Sequence, residues 1–253
     1  MLKLIFGILI ITGTAQFSSA QQETVTQSAQ WFAMQSLVKV SKNYSILAEG
    51  QFRFVNGMEP MQFQARTGLD VHVSKHFTFM PIAYVYTWNP IYGKQPATYS
   101  NNEHRTFQQV QYTHKIGIFN FGHRVRLEQR FIEVHSMNNN GEVVNEGYSQ
   151  YQNRVRYRLQ LQIPINNKEM APGTFYASMY VELFNDFGKN VDDTNRDQNR
   201  LFLGAGYTFN KDCALQAGFL EQRIIKASGT KQENNVGFQI IMNYNFDLTK
   251  KSI

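Results

Sequence analysis

Nine charged residues stand out by type and spacing. Arg124, Arg126, Glu128 and Arg130 fall in one segment, Arg154, Arg156 and Arg158 in a second, Glu182 and Asp186 in a third. Within each segment they occupy alternate positions, so each set lines one face of an extended strand. Guanidinium groups spaced this way hold carboxylates or free anions, most strongly in bidentate pairs. A hairpin centred near Asn140 sets Arg124 opposite Arg156 and Arg126 opposite Arg154, where like charges repel unless carboxylates or anions intervene. A turn centred near Glu169 then brings Glu182 close to Arg156. The nine residues therefore either cross-link one another as a filling of paired charge or coordinate a small acidic ligand.

Other chemistry is sparser. His114 and His123 share the phase of the apolar residues around them, and no Ser stands beside them to form an activated nucleophile. His72 and His76 flank a turn without a third ligand, which argues against a metal site. The acidic stretch around Asp192, Asp193 and Asp197 reads as a solvated loop rather than a calcium site. Phosphate-binding glycine motifs are absent, and no cofactor is implied. Cys213 is the only cysteine, so no intrachain disulfide forms. Trp31, Trp88 and Tyr92 read as girdle or loop aromatics.

The elements that must position these residues share one pattern. From Tyr151 to Ile163 nearly every odd position is apolar, and between them sit Gln152, Arg154, Arg156, Arg158, Gln160 and Gln162. This is the period of a β-strand with one greasy and one charged face. Eleven candidate strands follow: 30–40, 43–55, 61–73, 76–88, 103–115, 118–135, 147–164, 174–187, 199–209, 213–225 and 235–247. Short polar turns alternate with long loops rich in Asn, Gly, Asp and Pro. Residues 1–20 read as an export signal, with Lys3, an apolar core from Leu4 to Ile11, and small residues ending at Ala20. Residues 21–29 form a short lead-in, 30–248 the domain, and 249–253 a tail.

An exported chain of this kind reads as an all-β, antiparallel up-and-down transmembrane barrel of about ten to twelve strands in an outer membrane. Short turns face the periplasm, long loops the exterior, and the charged face lines the lumen. The mean hydropathy of −0.40 suits such a wall, because lumen residues offset lipid-facing ones. No stretch of about 20 apolar residues exists to cross as a helix. The formal charge of +6 is dispersed along strands, which argues against nucleic acid as a partner. Two features disturb the pattern. The strand at 76–88 is apolar or aromatic on both faces, and eleven strands close only through a parallel seam. The odd count suggests a missed strand near 21–30 or 89–102, or a first strand outside the wall.

The order of segments resembles a known family. Trp31 lies in the first strand, and the Arg-rich pair "HRVRLEQR" (123–130) and "YQNRVRYRLQLQIPI" (151–165) is central. "YVELFNDF" (180–187), "NRLFLGAGYTFNKDCALQAGFLEQR" (199–223) and a closing "NNVGFQIIMNYNFDL" (234–248) complete the set. Together these resemble the DUF2490 family, exported barrel proteins of Bacteroidetes-type bacteria, along nearly the whole mature chain. The resemblance implies an outer-membrane barrel and transfers no catalytic residue. Thr249–Ile253 departs from it by extending past the terminal aromatic residues.

The expected role is a non-enzymatic barrel, either a narrow or plugged pore or a structural barrel, with an Arg-rich lumen suited to anions. Its partners would be outer-membrane lipid, the barrel-assembly machinery and small anions. Two alternatives are a lipid hydrolase or acyltransferase, which needs Ser and His in hydrogen-bond reach, and a soluble secreted barrel whose apolar stripe points inward around an apolar ligand.

Overall fold

The structure, a computed structural model, describes residues 23–191, 198–226 and 229–249. The export signal at 1–20, the acidic stretch 192–197 and the tail beyond Thr249 lie outside the described residues.

Eleven strands build one closed wall. They are β1 (Glu23–Lys39), β2 (Tyr44–Val55), β3 (Glu59–His72), β4 (Phe77–Asn89), β5 (Asn101–Ile116), β6 (Phe119–Ile132), β9 (Gln150–Pro164), β10 (Thr174–Phe187), β11 (Gln198–Thr208), β12 (Cys213–Ile225) and β13 (Lys231–Tyr244). β7 (His135–Met137) and β8 (Val143–Asn145) form a separate hairpin in the loop between β6 and β9. β14 (Phe246–Asp247) extends the last strand alongside Val38 and Lys39. Each wall strand is antiparallel to the next. The ring closes where β1 pairs with β13 in parallel, from Glu23 opposite Lys231 to Gln35 opposite Asn243. The odd count therefore needs no missed strand. β1 starts at Glu23 rather than near residue 30, and residues 90–100 cross the barrel mouth instead of adding to the wall.

Alternation decides which face each side chain takes. On β9, Gln152 and Arg156 are buried while Val155, Tyr157 and Leu159 are exposed outside. The two-faced strand β4 also resolves. Its pairing with β5 shifts between Met80 and Ala83, beside Pro81, which has no N–H to give the ladder. Met80 points inward before the shift and Ala83, Val85 and Thr87 point inward after it, so the apolar residues change phase midway. Phe52, Ile82, Leu183, Phe219 and Phe238 are exposed on the outside, whereas the interior holds Gln, Arg and Glu beside apolar clusters such as Leu47, Met80, Val85 and Phe107. The soluble-barrel alternative required the apolar stripe inside, and on these strands the stripe lies outside.

Backbone geometry closes the ends and the seam. The two-residue connection Gly117–Ile118 has Gly117 at φ 60°, the positive φ that the first position of a tight II′ hairpin turn demands. At the seam, a Cβ on Gly237 would lie 1.8 Å from the backbone oxygen of Ala29. Parallel pairing is slightly weaker per residue than antiparallel pairing, so this contact has little reserve. Gly237→Ala is expected to cost about 1–3 kcal/mol through overpacking at the closure. Gly50→Ala, where a Cβ meets nothing within 4 Å, serves as the control. Denaturant midpoints of the refolded barrels test the difference, and equal midpoints would show that the seam yields freely.

Candidate functional site

All nine charged residues point into the lumen, and eight of them fall into two ion-pair clusters, one around Glu182 and Glu128 and one around Asp186 and Glu103, while Arg158 lies over the Tyr180 ring. The first cluster centres on Glu182 of β10, which is 1 % exposed. One carboxylate oxygen accepts from Arg124 Nη2 at 2.6 Å and Arg156 Nη2 at 2.8 Å, and the other accepts from Arg200 Nη1 at 2.9 Å. Glu128 on β6 accepts from Arg156 Nη1 at 2.6 Å and stands 3.6 Å from Arg126. Towards the long-loop end, Asp186 accepts from Arg154 and from Arg130. Glu103 holds Arg105 and Arg130 in two-toothed pairs, with Nε to oxygen distances of 2.6 and 2.5 Å. Most of these carboxylates are shared by two or three guanidinium groups, so the like charges do not face one another bare.

Aromatic faces take up the remaining cations. Arg158 lies 3.9 Å from the Tyr180 ring and donates to Gln160, while Arg126 lies 4.1 Å from Phe107 and donates twice to Gln109. Trp31 is fully buried between Arg53, 4.1 Å from its ring, and Arg200, 4.8 Å away. This corrects its assignment to an outer girdle: β1 turns position 31 inward, and closure of the seam brings it near β11. Trp88 does lie outside, close to the long-loop end of β4.

The strand register differs from the expected pairing by two residues. Arg124 stands opposite Arg158, Arg126 opposite Arg156, and Glu128 opposite Arg154. The cause lies in the loop. β7 and β8 are centred on Asn140 as expected, with His135 opposite Asn145. The return limb 146–149 is longer than the outgoing limb 133–134, and the excess displaces the wall pairing. An even shift preserves the face, so the lumen assignment survives. Glu182 reaches Arg156 although its backbone partner is Arg158.

Above this filling lies a cavity of about 390 Å³, open towards the long loops. Its lining includes Arg53, Arg105, Arg130, Arg154, Arg156, Arg200 and Lys226, against the acids Glu103 and Asp186. Tyr92, from the segment that crosses the mouth, helps to roof it and bonds to Glu233 at 3.1 Å. Burial, reinforced by the Glu233 charge, pushes the Tyr92 phenol well above its usual range. A second cavity of about 300 Å³ lies at the short-turn end, lined in part by Gln111, Thr113, Lys115, Asn120 and Gln162. The charged network separates the two.

Sequence reasoning missed Arg53, Arg105, Arg200 and Glu103. The spacing of Glu103 and Arg105 on alternate positions was a usable signal for that pair. Histidine geometry is equally specific. His114 and His123 stack outside at 5.2 Å between ring centroids, and His123 bonds to Tyr157 at 2.8 Å. Ser45 Oγ lies 2.9 Å from His72 Nε2, and Asp70 approaches that same nitrogen at 3.8 Å. A nucleophile relay needs the acid on the other ring nitrogen, so this trio lacks the orienting bond. Among the described residues no cluster of three His, Cys, Asp or Glu could hold a metal ion.

Comparison with known proteins places this geometry on a known sequence pattern. A family model described as "Protein of unknown function (DUF2490)" matches residues 29–234. No curated protein and no solved structure matches the chain.

Removing one partner from a buried ion-pair cluster strands the others without compensation. Glu182→Gln, which leaves three guanidinium groups short of their shared acid, is expected to cost about 3–5 kcal/mol. Glu221→Gln, in a half-exposed outer pair at 4.0 Å with Arg223, should cost less than about 1 kcal/mol. Urea or thermal unfolding of the two variants distinguishes a cross-linking network from decorative charge.

Proposed function

The chain belongs to the DUF2490 family, and on that premise we propose that it is an outer-membrane barrel, plugged at mid-lumen, whose outer vestibule accepts small acidic solutes. The observation that carries this reading is the vestibule lining, where seven cationic side chains meet Glu103 and Asp186 and, just behind them, Glu128, Glu182 and Glu233, which leaves a positive surplus above a lumen filled by Glu182 and its arginines. A low-dielectric wall around such a surplus concentrates anions. The outward apolar face and the difference between short turns and long loops support placement in a bilayer. A barrel of eleven strands encloses too little space for a wide aqueous channel, which belongs to walls of about 16 strands or more. The sequence reading of an Arg-rich lumen thus becomes a receptacle rather than a through-pore. No catalytic step is assigned to it.

Planar-bilayer recording of the refolded protein in a salt gradient tests the plug. Insertion without steady conductance is expected, and stable anion-selective steps would replace the plug by a pore. Citrate at constant ionic strength tests the vestibule. It should raise the unfolding midpoint, with about 2.7 kcal/mol of added stability at 100 times its dissociation constant. Lys226→Gln combined with Arg105→Gln should reduce that gain. An identical gain in the variant would exclude the vestibule as the binding place.

A further inference from the structure

One half of the outer wall breaks the apolar pattern. Thr67, Tyr84, Thr106, Gln129 and Asn153 are register partners across β3, β4, β5, β6 and β9, and they form a continuous row. All lie on the outward phase of their strands. On the far wall, β10, β11 and β12 show Val181, Leu203 and Phe219 to the outside, and their outward polar residues Asn199, Glu221 and Arg223 gather near the long-loop ends of the strands. Within the row, Thr106 Oγ1 donates to Gln129 Oε1 at 2.9 Å. Gln129 and Gln108 exchange amide hydrogen bonds at 3.2 and 3.4 Å. That exchange uses one N–H of each amide and leaves the second without an acceptor among the described residues.

Lipid tails offer such a donor nothing, so polar side chains on a bilayer-facing wall are costly unless a neighbour meets them. We propose that this face pairs with a second copy of the same chain, an inference that rests on the outer-membrane reading above. Two observations favour that occupant. The row is neutral and carries donors and acceptors together, so it complements itself under a two-fold axis without opposing like charges. No Lys or Arg accompanies it on the outward phase of β4, β5 or β6, as a phosphate-bearing headgroup would require. Beside the row lies an outer groove of about 550 Å³, where Ser36, Ala48, Gly50 and Ala65 leave the wall thin. An axis along the barrel near β4 sets this groove against β5 and β6 of the other copy, whose Val125 and Leu127 project outward. Small residues facing bulky ones, with amides nearby, is the usual chemistry of association within a bilayer.

The test uses the refolded protein in phosphatidylcholine vesicles, recovered by flotation, with Cys213→Ser as background. Val110→Cys, beside the row, and Val181→Cys, on the far wall, are treated with a short bismaleimide. The floated Val110→Cys protein should give a cross-linked dimer and the floated Val181→Cys protein should not. Gln108→Leu with Gln129→Leu, added to Val110→Cys, should abolish the dimer while the barrel still floats. A floated Val110→Cys protein that stays monomeric, or cross-links no more than Val181→Cys, overturns the pairing. So does persistence of the dimer in the leucine variant. Protein that fails to float overturns the membrane reading and the pairing with it.

Discussion

A carboxylate surrounded by three guanidinium groups in the middle of a narrow barrel is the constraint on which the other features depend. Glu182 gathers arginines from β6, β9 and β11, strands that alternation alone would leave as a repelling ring of positive charge. Desolvating so many charges is costly, and the cost is offset only when every acid is shared with good geometry. The geometry in turn requires the exact register of β6 with β9 and of β9 with β10. A slip of one residue would move the arginines to the outer face and the apolar stripe into the lumen. Charge pairing inside and apolar exposure outside therefore enforce the same register from opposite sides of the wall.

Closure is the second constraint, and it follows from number rather than chemistry. Ten alternating strands would have returned the chain antiparallel to its start, whereas eleven bring the first and last strands together in one direction. The seam works because Gly237 allows close approach to Ala29 and because the mouth-crossing segment reaches it. Lys94 bonds to Thr26, Gln95 to Glu23 and Tyr92 to Glu233, so this segment ties both seam strands to the β4–β5 side. The same segment roofs the vestibule, which couples access to the cavity with closure of the ring.

Much of this was legible before any coordinates. Period-two alternation located the strands and sorted Arg124 to Asp186 onto one face, because side-chain direction in a strand depends on parity alone. Register was less legible. A turn centre guessed from loop composition cannot register two extra residues in the return limb at 146–149, and the Arg124–Arg156 pairing failed for that reason. Trp31 was misplaced because its environment is made by β2 and β11, and β11 lies more than 160 residues away in the chain. β4 looked ambiguous for a local reason: the shift at Pro81 reverses parity within one strand. The contact of Ser45 with His72 escaped notice because β2 and β3 bring the two together only in the folded hairpin.

The parallel seam also gives the molecule a polarity. Glu23 enters the wall beside Thr230 at the long-loop rim, while Leu248 leaves it beside Lys39 at the short-turn rim. A wall with an even number of strands would deliver both chain ends to one rim; this one delivers them to opposite rims. A passenger attached ahead of β1 and one attached after β14 would therefore sit on different sides of the same wall, with no short linker able to join them. In an assembly built from such barrels, the two ends of one chain are presented at opposite rims.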